Sequence, residues 1–159
     1  MRKTIINQAG ENIPSFDLDF LDLEHLAQVE FTSECLEHPV ESALLLTEDA
    51  VSGWQAATAG EQIIRVVFDQ PRTIEHIVLM FEERQQSRTQ EFVLLWLMDN
   101  EGAYHEILRQ QYHFSPPNTT CEIEHYEVRL NQLKVLELRI IPEINGGDAC
   151  ATLKQLRLA

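Results

Sequence analysis

Cations are scarce in this chain: 12 Lys and Arg stand against 26 Asp and Glu, a formal charge of −14 over 159 residues. A surface of that sign repels phosphate backbones and anionic headgroups, so neither nucleic acid nor membrane is an expected partner. Long apolar runs are missing too. The longest, Phe92–Met98, has seven residues, against about twenty for a helix that spans a bilayer. The three cysteines, Cys35, Cys121 and Cys150, are odd in number, widely spaced and without a C-x-x-C pair. They cannot complete a disulfide framework or suggest structural zinc, and are expected as small apolar side chains. Residues 1–10 (MRKTIINQAG) have two basic residues but no apolar run after them. No secretory signal is read there, and the expected location is cytoplasmic.

Catalytic signatures are equally sparse. No H-x-H pair exists, and the six histidines (His25, His38, His76, His105, His113, His125) form no i,i+2 or i,i+4 pair. No two of them are therefore expected to converge on a metal from a single element, and each reads as solvated or satisfied in the core. There is no G-x-S-x-G elbow, no cysteine beside a histidine motif, and no phosphate-cradling glycine loop. Neither a catalytic residue, a metal nor a cofactor is expected.

With 44% apolar and 24% charged residues, the chain can bury a core, and its length suits one domain. The dominant pattern has period two. Ile64, Val66 and Phe68 alternate with Arg65 and Val67 before Asp69-Gln70-Pro71 closes the run; Ile77, Leu79 and Phe81 form a second strand. Phe92–Met98 is apolar on both faces, which suits a central strand, and Asp99–Gly102 supplies a turn. Tyr104–Phe114, Ile123–Leu130 and Val135–Ile141 are further strands. Glu122, Glu124 and Glu127 read as a solvated face of their strand. Pro39–Leu46 allows a short helical turn, and Trp54 opens a loop. In the first thirty residues Phe16, Leu18 and Phe20 alternate like a strand, while Phe16, Phe20, Leu23 and Ala27 fit a helical stripe. The connections are too short for helical crossovers, so the fold class is all-β, an antiparallel sandwich or jelly roll.

Arginine and glutamine stand out against this background. Glu82–Glu91 (EERQQSRTQE) and Arg109–Ser115 (RQQYHFS) carry guanidinium groups, planar amides and aromatic rings close together. Planar polar groups match vicinal hydroxyls, and an aromatic face covers the apolar side of a sugar ring. Trp54, Arg84, Arg88, Gln90, Arg109 and His113 are therefore the candidate ligand face, with Trp54 stacking. The competing reading pairs Arg84 and Arg88 with Glu82, Glu83 or Glu91 on an exposed loop and leaves Phe92 in the core.

Taken in order, Ser33-Glu34, His38-Pro39, Ala43-Leu44, Ser52-Gly53-Trp54, Gln62–Phe68, Asp69–Pro71, Ile74–Ile77 and Ala149–Leu153 resemble the galactose-binding-domain-like superfamily. That group includes discoidin and coagulation-factor C domains, carbohydrate-binding modules and the amino-terminal domain of a DNA single-strand-break-repair scaffold. The resemblance runs from about Ser33 to Leu158. It implies a jelly-roll sandwich of about eight strands over residues 31–159, with residues 1–30 packed on it as an extension, and a non-catalytic module whose end loops hold a saccharide. The alternative is a protein ligand, docked by those loops or by the face bearing Arg65, Glu137 and Arg139. Members of the group often hold a structural calcium; here Asp49 and Ser52 keep part of that loop, but Lys154 stands where a glutamate is expected, so no conventional calcium site is implied.

Overall fold

Alternating burial along the apolar runs follows from the period of the strand, which sends successive side chains to opposite faces. A computed structural model describes residues 17–46 and 53–159. In chain order these form α1 (Leu23–Leu26), β1 (Ala27–Phe31), α2 (Glu41–Leu44), β2 (Trp54–Ala59), β3 (Gln62–Glu82), β4 (Arg88–Met98), β5 (His105–Phe114), β6 (Cys121–Ile141), β7 (Cys150–Leu153) and β8 (Gln155–Leu158). All the pairings between these strands are antiparallel.

β3 and β6 are long strands that bend together, and the bend builds the sandwich. Their register slips between Val67 and His76, beside Pro71, and Gln132 on β6 takes a positive φ of 56° in the same region. Before the bend β3 lies between β1 and the second half of β6, and the sheet continues through β4 to β5. Beyond it, β3 lies between the first half of β6 and β8. The two expected strands at Ile64–Phe68 and Ile77–Phe81 are thus one bent strand, as are Ile123–Leu130 and Val135–Ile141. A bulged strand keeps its hydrogen-bonded ladder while turning from one layer to the other, which sequence punctuation reads as a break.

Ile64, Val66, Phe68, Ile77, Leu79 and Phe81 from β3 meet Phe92, Leu94, Leu136, Leu138 and Ile140 in one buried cluster. Phe81 and Phe92 stack across the layers with centroids 5.1 Å apart. Phe92–Met98 does occupy a central strand, between β5 and β6. β2 and β7 make a separate two-stranded ribbon.

The amino-terminal segment contains both kinds of structure: one helical turn at α1, then β1 paired with β3. Leu23 is buried and the Leu21 amide donates to the Leu158 carbonyl, so residues 21–30 are tied into the sandwich. Phe16 and the loop residues Asp49 and Ser52 lie outside the described residues. Two expectations need correction here. Trp54 does not open a loop; it begins β2 and is 1% exposed. Glu122 is not on a solvated face. It is opposite Phe81 in the register and 1% exposed, because the inward set on this half of β6 is 122, 124, 126, 128 and 130. Glu127, of the opposite parity, is exposed as expected.

Candidate functional site

The end of β3 and the start of β4 are joined by residues 83–87, and the segments 115–120 and 142–149 reach the same end of the sandwich. The Glu83 amide donates to the Thr120 carbonyl, and the Ile144 amide to the Thr89 carbonyl. Glu143 fastens the third segment: it accepts from the Asn145 and Thr89 amides, and these bonds hold its carboxyl below its ordinary pKa.

Arg88 organises this end from inside. Its guanidinium donates to Glu83 Oε1 (2.7 Å), the Pro142 carbonyl (2.9 Å), Gln90 Oε1 (3.3 Å) and Thr152 Oγ1 (3.3 Å), and it lies 4.8 Å from the Phe114 ring centroid. It is 1% exposed. One buried cation thus ties together the loop at Glu83, the end of β6 and β7, with its donors satisfied by an acid, two neutral oxygens and a carbonyl. Gln90 continues inward, donating to Glu122 Oε2 at 3.0 Å. Burial pushes the Glu122 carboxyl up to about 8, opposed by the Gln90 hydrogen bond and reinforced by Glu124. Tyr126, beside Glu124 on the same inward face, has its hydroxyl shifted upward for the same reason, loss of solvent.

On the outer side of this framework lies a pocket of about 420 Å³, walled by residues 82–86, by β2 and β7, and by His38 and Asp148. Arg84 projects into it with about half its side chain exposed and its Nε donating to Glu82 Oε1 at 3.0 Å. Gln55, Gln85, Gln86 and Lys154 add amide and ammonium groups. Trp54 forms part of the wall from within the core, its indole N–H donating to the Ser33 carbonyl at 3.0 Å. A second, mainly apolar groove of about 310 Å³ runs between β1 and α2, bordered by Leu23, Ala27, Val29, Leu44 and Val66.

The six candidate residues therefore separate into three groups. Arg84 lines the pocket. Trp54 contacts it but has no open ring face on which a sugar could stack, and Arg88 and Gln90 are wholly internal, so these three are corrected to structural roles. Arg109 and His113 lie on the outer face of β5, Arg109 between Glu91 and Glu106 and His113 against Thr89. They are not brought to the pocket. The competing pairing of Arg84 with Glu82 and Arg88 with Glu83 is present, with Arg88 buried instead of on an exposed loop, and Phe92 is core. Gln55 and Asp148 carry no local signal, being single polar residues far apart in sequence, and His38 reads from the sequence only as a solvated or core histidine and as part of the His38-Pro39 resemblance. Glu137 is enclosed by Arg65 and Arg139, each at 2.6 Å, so that face carries a neutralised acid on a sheet surface.

No protein-family model matches the chain, and no curated protein matches it in sequence. Solved structures do match in shape. A family 32 carbohydrate-binding module from Clostridium perfringens NanJ, in complex with galactose, superposes with TM-score 0.63 at 13% identity, covering 87% of this chain and 96% of that one. The chain shares the antiparallel β-sandwich fold of that carbohydrate-binding module. A pectin-binding carbohydrate-binding module matches with TM-score 0.57 at 14% identity, covering 84% and 90% of the two chains. Reduced XRCC1, solved bound to a DNA polymerase β catalytic domain, matches with TM-score 0.56 at 15% identity over 84% and 95%. Within that sandwich fold this chain places its polar pocket at the loop end, and the solved structures similar to it are mostly binding modules, with some domains of enzymes among them.

Proposed function

We propose that this chain is a non-catalytic ligand-binding module that holds a saccharide in the pocket beside Arg84. The observation that carries the reading is the pocket itself: about 420 Å³, rimmed by a guanidinium, planar amides and carboxylates. Such groups pair with vicinal hydroxyls in both donor and acceptor senses. The fold supports it, because similar structures include modules that bind galactose and pectin. The fold by itself names no ligand. Arg88 acts as a positioning residue, fixing Glu83 and Thr152 in the pocket wall from behind.

The test is a melting-temperature screen against galactose, other monosaccharides and oligogalacturonides, since a ligand bound only by the folded state raises the transition. A saccharide-dependent rise, lost in Arg84→Ala with the unliganded transition unchanged, is the expected result. No response to any saccharide at millimolar concentration would overturn the reading. A protein ligand is the second reading, favoured by the apolar groove between β1 and α2 and by the likeness to reduced XRCC1, solved bound to a polymerase catalytic domain. Affinity capture with a Val29→Asp control, at a half-buried residue of the groove and checked for an unchanged melting transition, tests it.

A further inference from the structure

Two histidines that are 49 residues apart meet on the outer face of the sheet. His76 Nδ1 and His125 Nε2 are 3.0 Å apart. His76 lies on β3 and His125 on β6, and the antiparallel register places Glu127 directly opposite His76 on that same face. His125 and Glu127 are exposed and His76 is half-buried, so solvent and solutes reach all three.

We propose that His76 and His125 form a two-histidine binding site for a borderline divalent cation, Zn2+, Ni2+ or Cu2+, with water completing the coordination. The geometry is the argument. With metal–imidazole bonds of about 2.0–2.1 Å, two nitrogens at a right angle lie about 2.9 Å apart, and at a tetrahedral angle about 3.3 Å. The observed separation falls between these limits, although the ring centroids are 5.2 Å apart, so the two nitrogens face one another across the hydrogen bond and each ring turns on its own strand to aim its lone pair at a shared ion. Paired strands supply the ring positions, which limits the reorganisation that binding requires. Before binding, one ring nitrogen donates a hydrogen to the other. On binding, that hydrogen is carried on the far nitrogen of its own ring instead, leaving two neutral imidazoles that each present a lone pair to the metal. Imidazole nitrogen selects Zn2+, Ni2+ and Cu2+ over the oxygen-seeking Ca2+ and Mg2+. An ion held here links the first half of β6 to β3 without using the saccharide pocket, so the site is independent of the proposed sugar binding.

The test uses the full, tag-free chain, stripped with EDTA, in calorimetric titration and thermal shift with ZnCl2, NiCl2 and CuSO4. The expected result is saturable binding near one ion per chain and a rise of several degrees in melting temperature, with no rise in CaCl2. His76→Ala and His125→Ala should each abolish the rise. Melting of these variants in EDTA at the wild-type temperature establishes that they fold; His125→Gln replaces any that does not. Electron paramagnetic resonance of the Cu2+ form should show coupling to two nitrogens. His25→Ala is the control, because Asp22, Glu24 and His25 are the three-ligand group whose donor atoms lie within 4.8 Å of one another among the described residues. A rise kept by the His76 and His125 variants, or lost in His25→Ala, would overturn the proposal, as would the absence of binding for all three metals.

Discussion

Glutamine in place of Glu122 removes a buried titration while keeping an oxygen for Gln90, and so isolates the energetic cost of one carboxyl. In the folded chain Glu122 is 1% exposed and its pKa is raised from 4.5 to about 8, chiefly by burial. The folded state therefore holds a proton that the unfolded state releases, and stability must fall as pH rises between these two values. Below about 4.5 both states are protonated, and above about 8 both are ionised, so the dependence flattens at each end. Inside the window the slope approaches about 1.4 kcal/mol per pH unit, or about 2 kcal/mol between pH 5.5 and 7. For a domain of this size that is a drop of roughly 4–8 °C in melting temperature. Urea melts of wild type and Glu122→Gln across pH 5–8.5 provide the comparison, because titrations common to both proteins cancel in the difference. The variant should gain on the wild type steadily as pH rises. A difference independent of pH would show that Glu122 titrates normally and is not held protonated by burial.

Three further predictions test the framework behind the pocket. Trp54→Ala empties a fully buried site and breaks the bond to the Ser33 carbonyl; denaturant melts should show a loss of about 3–5 kcal/mol, and a variant as stable as wild type would place the indole outside the core. Arg88→Met removes the buried cation from Glu83 Oε1 and the donor from the Pro142 carbonyl, leaving Glu83 only the Gln85 amide on its other oxygen; the expected loss is about 3–5 kcal/mol by the same assay, and Arg88→Lys should recover only part of it because an ammonium cannot reproduce the fork. Gly53→Ala forces a side chain onto a φ of 66° and brings Cβ to 2.6 Å from the Leu153 carbonyl oxygen; it should cost more than about 1 kcal/mol in the melt, displacing β7 from β2.

The all-β class was legible because period-two alternation at Ile64, Val66 and Phe68 and at Leu136, Leu138 and Ile140 is a local property of the chain. The resemblance over Ser33–Leu158 carried the sandwich further than alternation did. The site was much less legible. Arg84 and Arg88 stand four residues apart in a polar stretch and look alike in composition, yet one projects into a pocket and the other is sealed within the domain. What separates them is the register of β4: Arg88 pairs with Phe114 and is the first inward residue of its strand. Glu122 shows the same limit, since parity on β6 follows from where the strand enters the sheet and not from the apolar residues beside it.

By itself the sequence determined the strand-forming runs, the acidic surface and the tight turn at Asp99–Gly102, because each depends on neighbouring residues only. The tertiary structure decided which polar groups are inside, how β3 and β6 bend between layers, and which distant residues meet. His76 and His125 have no shared motif and no helical or strand spacing between them; only the β3–β6 register sets their nitrogens 3.0 Å apart. Pairing of long strands is a non-local interaction whose register is fixed by burial along the whole interface, and for that reason no short stretch of this sequence contains it.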